Sequence, residues 1–228
     1  MCVRYSIAAT PDSLQRLFRV SGPPPVFPPR YNVAPTQFVP IVRLARGKDA
    51  VGTALRELVR VRWGLIPSWD KDVSTGYANA RAERIAEKPA FRAAFRTRRC
   101  LIPADGFYEW QRVDGQDVPW RITLADGGAF AFAGLWERWD KSSDGVPVES
   151  CAIITTEANE FVQPISARMP VILPPDRYEV WLQETRLETL VSLLRSYPAE
   201  HMTTYRVNEV INSVMNDGPE CAAPAGPT

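Results

Sequence analysis

Histidine is almost missing from this chain, since His201 is the only one among 228 residues. A zinc site built from several histidines is therefore excluded, and a Ser-His-Asp or Cys-His catalytic centre has a single candidate base. The four cysteines, Cys2, Cys100, Cys151 and Cys221, contain no C-x-x-C pair. We therefore expect no metal site, redox dithiol or disulfide framework, and no motif in the chain points to a cofactor.

Long apolar runs are also missing. No segment approaches the roughly 20 apolar residues of a membrane helix, and no charged start followed by an apolar stretch marks a signal peptide. We therefore expect a soluble, cytoplasmic protein.

The net charge is only +1, from 27 basic and 26 acidic side chains, so no global attraction to polyanions is expected. The basic residues divide into 23 Arg and 4 Lys, and Arg binds phosphate with a planar fork of donors.

Strand and helix patterns alternate without a βαβ rhythm, which predicts a single α+β domain around a largely antiparallel sheet. Period-two patterns predict strands at 2–8, 38–44, 57–66, 100–102, 120–124, 129–139, 150–156 and 202–207. Helical patterns cover 11–20, 81–97, 177–183 and 186–196. Asp114-Gly115 and Asp126-Gly127 are typical hairpin turns. We expect the domain to span 1–216 and the Pro-, Gly- and Ala-rich tail at 217–228 to be disordered.

Cys2 has a chemistry that an internal cysteine lacks. Removal of Met1, common when residue 2 is small, would leave an α-amine with a pKa of roughly 8 beside a thiol with a pKa of roughly 8.5. The amine can condense with an aldehyde to a Schiff base, and the neighbouring thiolate can then close a five-membered thiazolidine. An aldehyde is thus the natural target. The alternative is that Cys2 only packs as a small apolar residue at a strand start, or retains Met1.

Positive charge is concentrated between residues 81 and 99. The window holds seven basic residues against two acidic ones and therefore carries +5 in a chain of +1. Arg92 and Arg96 lie one helical turn apart, which predicts a doubly charged helix face. Binding of phosphate backbones is one interpretation, and a solvated helix face paired with acids elsewhere in the chain is the other.

Glu109 lies in an aromatic segment, between Tyr108 and Trp110. A carboxyl in such surroundings is expected to be desolvated, which raises its pKa toward neutrality and suits it to general acid-base catalysis. A buried ion pair with an arginine is the structural alternative. Asn79 is a second polar residue in apolar surroundings. The exposed tryptophans, if they adjoin the basic segment, would suit stacking on single-stranded DNA.

Six sequence blocks together resemble the SOS-response-associated peptidase family, whose members covalently trap abasic sites in single-stranded DNA. The resemblance covers nearly the whole chain. The blocks are Met-Cys-Val-Arg-Tyr at 1–5, Tyr-Asn-Val-Ala-Pro-Thr-Gln at 31–37, Trp-Gly-Leu-Ile-Pro-Ser-Trp at 63–69, Asn-Ala-Arg-Ala-Glu at 79–83, Arg-Cys-Leu-Ile-Pro-Ala-Asp-Gly-Phe-Tyr-Glu-Trp at 99–110 and Arg-Met-Pro-Val-Ile-Leu at 168–173.

The resemblance implies a curved, barrel-like, largely antiparallel sheet with flanking helices and a positively charged cleft. It implies an enzyme of DNA-damage repair, of lyase or peptidase-like class, that acts on abasic sites in single-stranded DNA as a nucleoid-associated monomer. Cys2 would form the thiazolidine, Asn79 would orient it or the sugar, and Glu109 would move protons. The resemblance also implies the DNA-binding residues, which are Arg4, Trp69, Arg81, Arg84, Trp110 and Arg168.

Two positions depart from the family pattern. Ser166 stands where the family has a histidine that assists Schiff-base formation and adduct reversal. A hydroxyl does not exchange protons near pH 7 as imidazole does, so we expect crosslinking to survive and release to be impaired. His201 could replace that histidine only within hydrogen-bond reach. Val3 stands where glycine is typical, and we expect ordinary β backbone there.

Two other functions remain open from the sequence. A thiol peptidase or self-processing protein would use Cys2 against a peptide bond, and it would need a base and an oxyanion donor pair near the thiol. A non-catalytic module would bind single strands through its arginines without forming a covalent product.

Overall fold

The computed structural model describes residues 3–48, 52, 54–73, 76–142 and 145–226. Within them the strands are Tyr5–Ile7 (β1), Arg30–Val33 (β2), Phe38–Lys48 (β3), Ala54–Trp63 (β4), Asn79–Arg81 (β5), Arg99–Ala104 (β6), Gly106–Val113 (β7), Gln116–Leu124 (β8), Phe130–Trp139 (β9), Val148–Glu157 (β10), Arg168–Pro170 (β11), Ile172–Leu173 (β12) and Met202–Arg206 (β13). The α-helices are Pro11–Phe18 (α1), Pro89–Thr97 (α2), Tyr178–Gln183 (α3) and Leu187–Ser192 (α4). Short 3₁₀ helices lie at Ala82–Arg84, Pro175–Arg177, Ala199–His201, Glu209–Asn212 and Pro219–Cys221.

The strands form two sheets. The smaller has the order β13-β8-β7-β1-β2, and the larger runs β11-β10-β4-β3-β6-β9-β12 with β5 beside β10. Because β9 also pairs with β10, the larger sheet closes into an uneven barrel, in which β3 and β6 are joined through Val42 and Leu101. Among the described strands, the only parallel pairings are those of β10 with β4 and of β10 with β5. The expected α+β domain with a curved, largely antiparallel, barrel-like sheet is confirmed.

The first strand is anchored in the core between the sheets. The ring of Tyr5 packs edge-on against Trp63 and Phe132, with centroids 5.3 and 5.8 Å away. All three side chains are essentially buried. The pattern predicted a strand at 2–8; of the described residues 3–8, only Tyr5–Ile7 are strand. Burial of large aromatic side chains against each other therefore holds the chain firmly two residues after Val3.

Local signals account for the two longer helices. Thr10 caps α1 by accepting a hydrogen bond from Ser13 N, and Pro11 opens its first turn. The helix ends two residues before the predicted position 20 because Arg19 adopts a left-handed conformation, with φ 51°. Pro89 opens α2, as predicted. The earlier part of the predicted 81–97 helix is instead strand β5 and a 3₁₀ turn, since β5 pairs with β10.

The turn at Asp114-Gly115 joins two paired strands, as predicted. Both residues have positive φ, 49° and 82°, which matches a tight hairpin between β7 and β8. The same prediction is wrong for Asp126-Gly127, because the strands on either side lie in different sheets. The next neighbour of β8 is β13, which comes from far along the chain. Turn chemistry thus indicates a bend but does not select the partner strand.

The C-terminal segment 208–226 packs against the smaller sheet, which corrects the prediction of a disordered tail from Asp217. The carboxylate of Asp217 accepts hydrogen bonds from the backbone N–H groups of Tyr31 and Asn32, both at 2.7 Å, and pairs with Arg30. Cys221 is fully buried beneath it. Specific hydrogen bonds hold this segment despite its polar, Pro-rich composition. No helix in the described ranges is long and apolar enough to cross a membrane.

Candidate functional site

A cavity of about 560 Å³ opens where β5 meets the start of α2. It is lined by Asn79, Arg81, Arg84, Glu87, Lys88 and Phe91. Three predicted site residues, Asn79, Arg81 and Arg84, therefore lie in one concave surface. The lining holds three basic side chains and one acidic side chain, so the cavity is positively charged, as the cleft was expected to be.

The end of β10 brings Arg168 to the rim of this surface. Thr155 of β10 is aligned with Arg81 of β5, and Glu157 is aligned with Arg168 of β11. The guanidinium of Arg168 donates to both carboxylate oxygens of Glu83, at 2.8 and 3.1 Å, and to the carbonyl of Thr155 at 2.7 Å. Partial burial acts to raise the pKa of Glu83, but the hydrogen bonds from Arg168, a backbone hydrogen bond and the charges of Arg168 and Arg81 together hold this pKa below its usual value.

Glu109 is buried on β7 with 4% of its surface exposed. Burial raises the pKa of this carboxyl, and a hydrogen bond with Ser166 acts in the opposite direction. The Ser166 hydroxyl also lies 3.0 Å from the carbonyl oxygen of Arg168, to which it donates. Gln111, two residues along β7, donates to Pro164 in the same loop at 3.1 Å. Ser166 therefore connects Glu109 to the backbone of Arg168, whose guanidinium is bonded to Glu83 between two cavity-lining arginines.

Arg4 and Trp110 lie on the other face of the smaller sheet. Successive side chains of a strand point to opposite faces, so Trp110 points away from Glu109. Its indole N–H donates to the Asn212 side chain at 2.7 Å, and the Arg4 guanidinium lies 5.8 Å from its ring centroid. Arg4 Nη1 donates to Asn32 Oδ1 at 2.9 Å and to the Ile211 carbonyl at 2.8 Å. The structure therefore does not bring these two residues together with Glu109.

Trp69 lies on the loop between β4 and β5, with 57% of its surface exposed. The base of this loop is narrow, because a Cβ at Gly76 would lie 2.6 Å from the carbonyl oxygen of Gly64. Leu65 and Tyr77 form an isolated β-bridge there. Only glycine permits this close approach of the two backbones. The contact closes the base of the loop that carries the exposed Trp69 and that leads to Asn79.

Cys2 lies outside the described residues, as does Met1. It comes two positions before Arg4, whose carbonyl accepts a hydrogen bond from Tyr108 N at 3.0 Å. Two residues span at most about 7 Å. The cysteines that the structure describes, Cys100, Cys151 and Cys221, are buried free thiols. Burial raises the pKa of each one, so none of these three is a ready thiolate near neutral pH.

His201 does not reach Glu109. Glu109 is aligned with Trp120, and Trp120 with Arg206 on β13. His201 precedes Arg206 by five residues, which places it roughly 16 Å farther along the strand direction. There it lies beside Tyr197, with ring centroids 6.4 Å apart, on a separate cavity of about 610 Å³. His201 therefore cannot take the place of a histidine at position 166.

The sequence of this chain matches a known protein family. The family sequence model of the SOS response associated peptidases (SRAP) matches residues 1–214. The chain belongs to the SRAP family. It is 44% identical to the abasic site processing protein YoaM of Bacillus subtilis over 227 residues, which cover 96% of each chain. It is 31% identical to the abasic site processing protein HMCES of Gallus gallus over 223 residues, which cover 86% of this chain and 66% of the relative.

Solved structures share the fold. An X-ray structure of a protein from Bacteroides thetaiotaomicron matches with a TM-score of 0.84 and 26% identity, covering 98% of this chain and all of the other. A second, from Bordetella bronchiseptica, matches with a TM-score of 0.75 and 27% identity, covering 91% of this chain and all of the other. The two-sheet SRAP architecture therefore extends to proteins with only about a quarter of their residues in common with this one.

Three residues that shape this SRAP site were not among the predicted site residues. Glu83 holds Arg168, Lys88 completes the cavity lining, and Asn32 holds Arg4. Glu83 stands within the Asn-Ala-Arg-Ala-Glu block and Asn32 within the Tyr-Asn-Val block, so the family resemblance covers both positions. Their partners lie 85 and 28 positions away, and no local pattern identifies such pairs.

Proposed function

We propose that this protein crosslinks abasic sites in single-stranded DNA through a thiazolidine that Cys2 forms after removal of Met1. The observation that carries the proposal is the buried Glu109 with its raised pKa, on the strand that pairs with β1 and beside a positively charged cavity. The two relatives named above are called abasic site processing proteins, which supports the same substrate.

The proposed chemistry consumes one aldehyde and releases one water. The α-amine of Cys2 adds to C1 of the ring-opened deoxyribose, and the resulting carbinolamine loses water to give an imine. The thiolate then adds to the imine carbon, and the nitrogen takes up a proton as the five-membered ring closes. No electron acceptor is needed, because the carbon stays at the aldehyde oxidation level throughout.

Glu109 is the proposed proton carrier for these steps. A carboxyl whose pKa lies nearer to neutrality can both donate a proton to the leaving water and accept one from the amine. Asn79, on the cavity wall, is proposed to orient the sugar or Cys2 with its amide. Ser166 offers only a hydroxyl for the steps that reverse the adduct, so the proposal includes slow release of the DNA.

The proposed DNA path uses the charges around the cavity. Arg81 and Arg84 line it, Arg168 lies at its rim, and Trp69 is exposed for stacking on a base. The remaining two proposed contacts, Arg4 and Trp110, require the DNA to pass across the end of the smaller sheet where β1 begins. The proposal takes the protein to act as a monomer on a single strand, in association with the nucleoid.

The test is incubation with a single-stranded oligonucleotide that carries one abasic site, followed by denaturing electrophoresis and mass spectrometry of the N-terminal peptide. We expect a covalent species that carries the oligonucleotide mass minus one water, and we expect it to be lost in Cys2→Ser and when extra residues precede Cys2. An oligonucleotide with a tetrahydrofuran in place of the sugar is the matched control, because it has no aldehyde. A crosslink that persists in Cys2→Ser would refute the proposal.

The Cys2→Ser variant also distinguishes the thiol peptidase alternative from the proposed function. Self-processing requires Cys2, so Met1 would remain attached in Cys2→Ser expressed in cells. Loss of Met1 from that variant shows ordinary aminopeptidase removal. DNA affinity without any covalent product would instead identify a non-catalytic binding module.

A further inference from the structure

The basic stretch at 81–99 separates into two groups in the structure. Arg98 pairs with Glu137 at 2.7 Å, and Arg99 is only 6% exposed. The Arg99 guanidinium donates to backbone carbonyls, among them those of Phe95 at 2.7 Å and Trp181 at 2.6 Å. These two arginines join α2 to the sheet and α3, so their charges serve the fold.

The other group forms a row on the surface. Arg84, Lys88, Arg92 and Arg96 follow each other at intervals of four residues, and all four are exposed. Arg92 and Arg96 lie within α2, where residues four apart share one face roughly 5 to 6 Å from each other. Lys88 is the N-cap residue of α2, and Arg84 ends the 3₁₀ turn before it. The opposite face of α2 is buried. In the part of the chain that the structure describes, the guanidinium groups of Arg92 and Arg96 have no hydrogen-bond or ion-pair partner, so their charges are uncompensated.

This row starts in the cavity described above. Lys88 lines that cavity, and its ammonium lies 4.6 Å from the ring centroid of Tyr77 and 5.1 Å from that of Phe91. The aromatic rings hold Lys88 at the mouth of the cavity by cation-π attraction. From there Arg92 and Arg96 continue along α2. Of the two acids in this region, Glu83 is bonded to Arg168, and Glu87 alone adds negative charge to the lining.

We propose that Lys88, Arg92 and Arg96 form a track for the phosphate backbone on one side of the abasic nucleotide. This inference rests on the proposed function. The eight residues from Lys88 to Arg96 rise about 12 Å along the helix axis, so neighbouring charges of the row are separated by roughly 6 Å. Evenly spaced, uncompensated charges suit a polymer with evenly spaced anions, and the start at the cavity links the track to the lesion. The strand therefore leaves the site along α2.

The test measures non-covalent affinity against salt concentration with the tetrahydrofuran oligonucleotide. Each phosphate contact on a single strand contributes roughly 0.7 to the slope of log affinity against log salt. Arg92→Gln/Arg96→Gln should therefore reduce the slope by about 1.4, so that from about 50 to 200 mM salt the variant loses about sevenfold less affinity than the parent. Arg92→Lys/Arg96→Lys keeps both charges and should keep the slope.

A matched control removes the same charge elsewhere. Arg16 lies in the last turn of α1, as Arg96 does in α2, and Arg186 is an exposed arginine with 77% of its side chain accessible. Arg16→Gln/Arg186→Gln should leave the slope unchanged. Equal slope losses in this control and in Arg92→Gln/Arg96→Gln would overturn the track, since they would reflect net charge alone.

Two shorter oligonucleotides test on which side of the abasic nucleotide, 5′ or 3′, the track binds the strand. Each carries the tetrahydrofuran at one end, so that only the 5′ or only the 3′ flank remains. The Arg92→Gln/Arg96→Gln variant should lose slope with one of them and not with the other, and equal losses with both would overturn the track. The parent's crosslinking of a true abasic site is scored separately, so a track that fails while crosslinking persists refutes only this inference.

Discussion

Asn32 offers the sharpest test of how the C-terminal segment supports the site. Its side chain is fully buried, and its amide nitrogen donates to the carbonyls of Ile211, Ser213 and Asn216 at 3.1, 2.9 and 2.7 Å. Its oxygen accepts from Arg4. Asn32→Asp keeps the shape and the acceptor but removes both N–H donors. The Asn216 carbonyl then loses its partner, whereas the carbonyls of Ile211 and Ser213 keep Arg4 and Asn216 N as donors.

The expected cost follows from these contacts. Loss of two buried donors at roughly 1.5 kcal/mol each comes to about 3 kcal/mol, and a charged contact between the new carboxylate and the Arg4 guanidinium would be the only gain. If that gain returns about 1 kcal/mol, the net loss is at least about 2 kcal/mol, because the new carboxylate oxygen also faces the carbonyl oxygens that accepted from the amide. For a domain of this size, each kcal/mol lowers Tm by roughly 2 to 4 °C, so we expect Tm to fall by at least about 4 °C.

Thermal melting of the two proteins measures this loss, and limited proteolysis shows whether residues 208–226 become cleavable first. Asn216→Asp is the control, because its amide makes one exposed hydrogen bond, to the Val210 carbonyl at 2.8 Å. We expect that variant to melt within about 2 °C of the parent, since one exposed hydrogen bond contributes roughly 0.5 kcal/mol. Equal melting temperatures for Asn32→Asp and Asn216→Asp would refute the reasoning.

Three further predictions concern the site. Burial raises the pKa of Glu109 in the folded state, so its contribution to stability is present at low pH and is lost as pH rises through that pKa. Glu109→Gln should thus gain Tm relative to the parent as pH rises from the pKa of a free glutamate, roughly 4.3, through the raised pKa of Glu109, while crosslinking slows. A constant difference in Tm would contradict this. Ser166→His should speed adduct release from a purified crosslink, and equal release rates would remove that hypothesis. Glu83→Gln frees the charge of Arg168, so the salt slope for tetrahydrofuran DNA should steepen by about 0.7, and an unchanged slope would argue against a phosphate contact there.

Local chemistry in the sequence was sufficient for several elements. The Thr10 cap with Pro11, the Asp114-Gly115 hairpin and the start of α2 at Pro89 all follow from interactions within a few residues. The strands with clear alternation were predicted within a few residues of their observed ends. Their partners were not, because the energy of pairing depends on residues far along the chain.

Three features therefore required the tertiary structure. Strand β5 has only three residues, and its conformation follows from its parallel pairing with β10. Residues 217–226 are held against β2 by the hydrogen bonds that Asp217 accepts, although their composition is typical of disorder. The basic window at 81–99 was recognised as +5, but burial of Arg99 and pairing of Arg98 decide which charges remain on the surface.

The sequence by itself determined which reactive groups this SRAP protein has: one thiol beside a potential α-amine at Cys2, a carboxyl among aromatic residues at Glu109, and a single histidine. Those follow from residue identity and from immediate neighbours. Only the tertiary structure decided which groups meet, because the register of β5, β10 and β11 brings Arg81 and Arg168 together and carries His201, on the other sheet, away from Glu109. Glu109 is connected to Arg168 across the two sheets by Ser166. Distances between residues distant in the chain are set by sheet pairing and core packing, and neither is written in any short stretch of sequence.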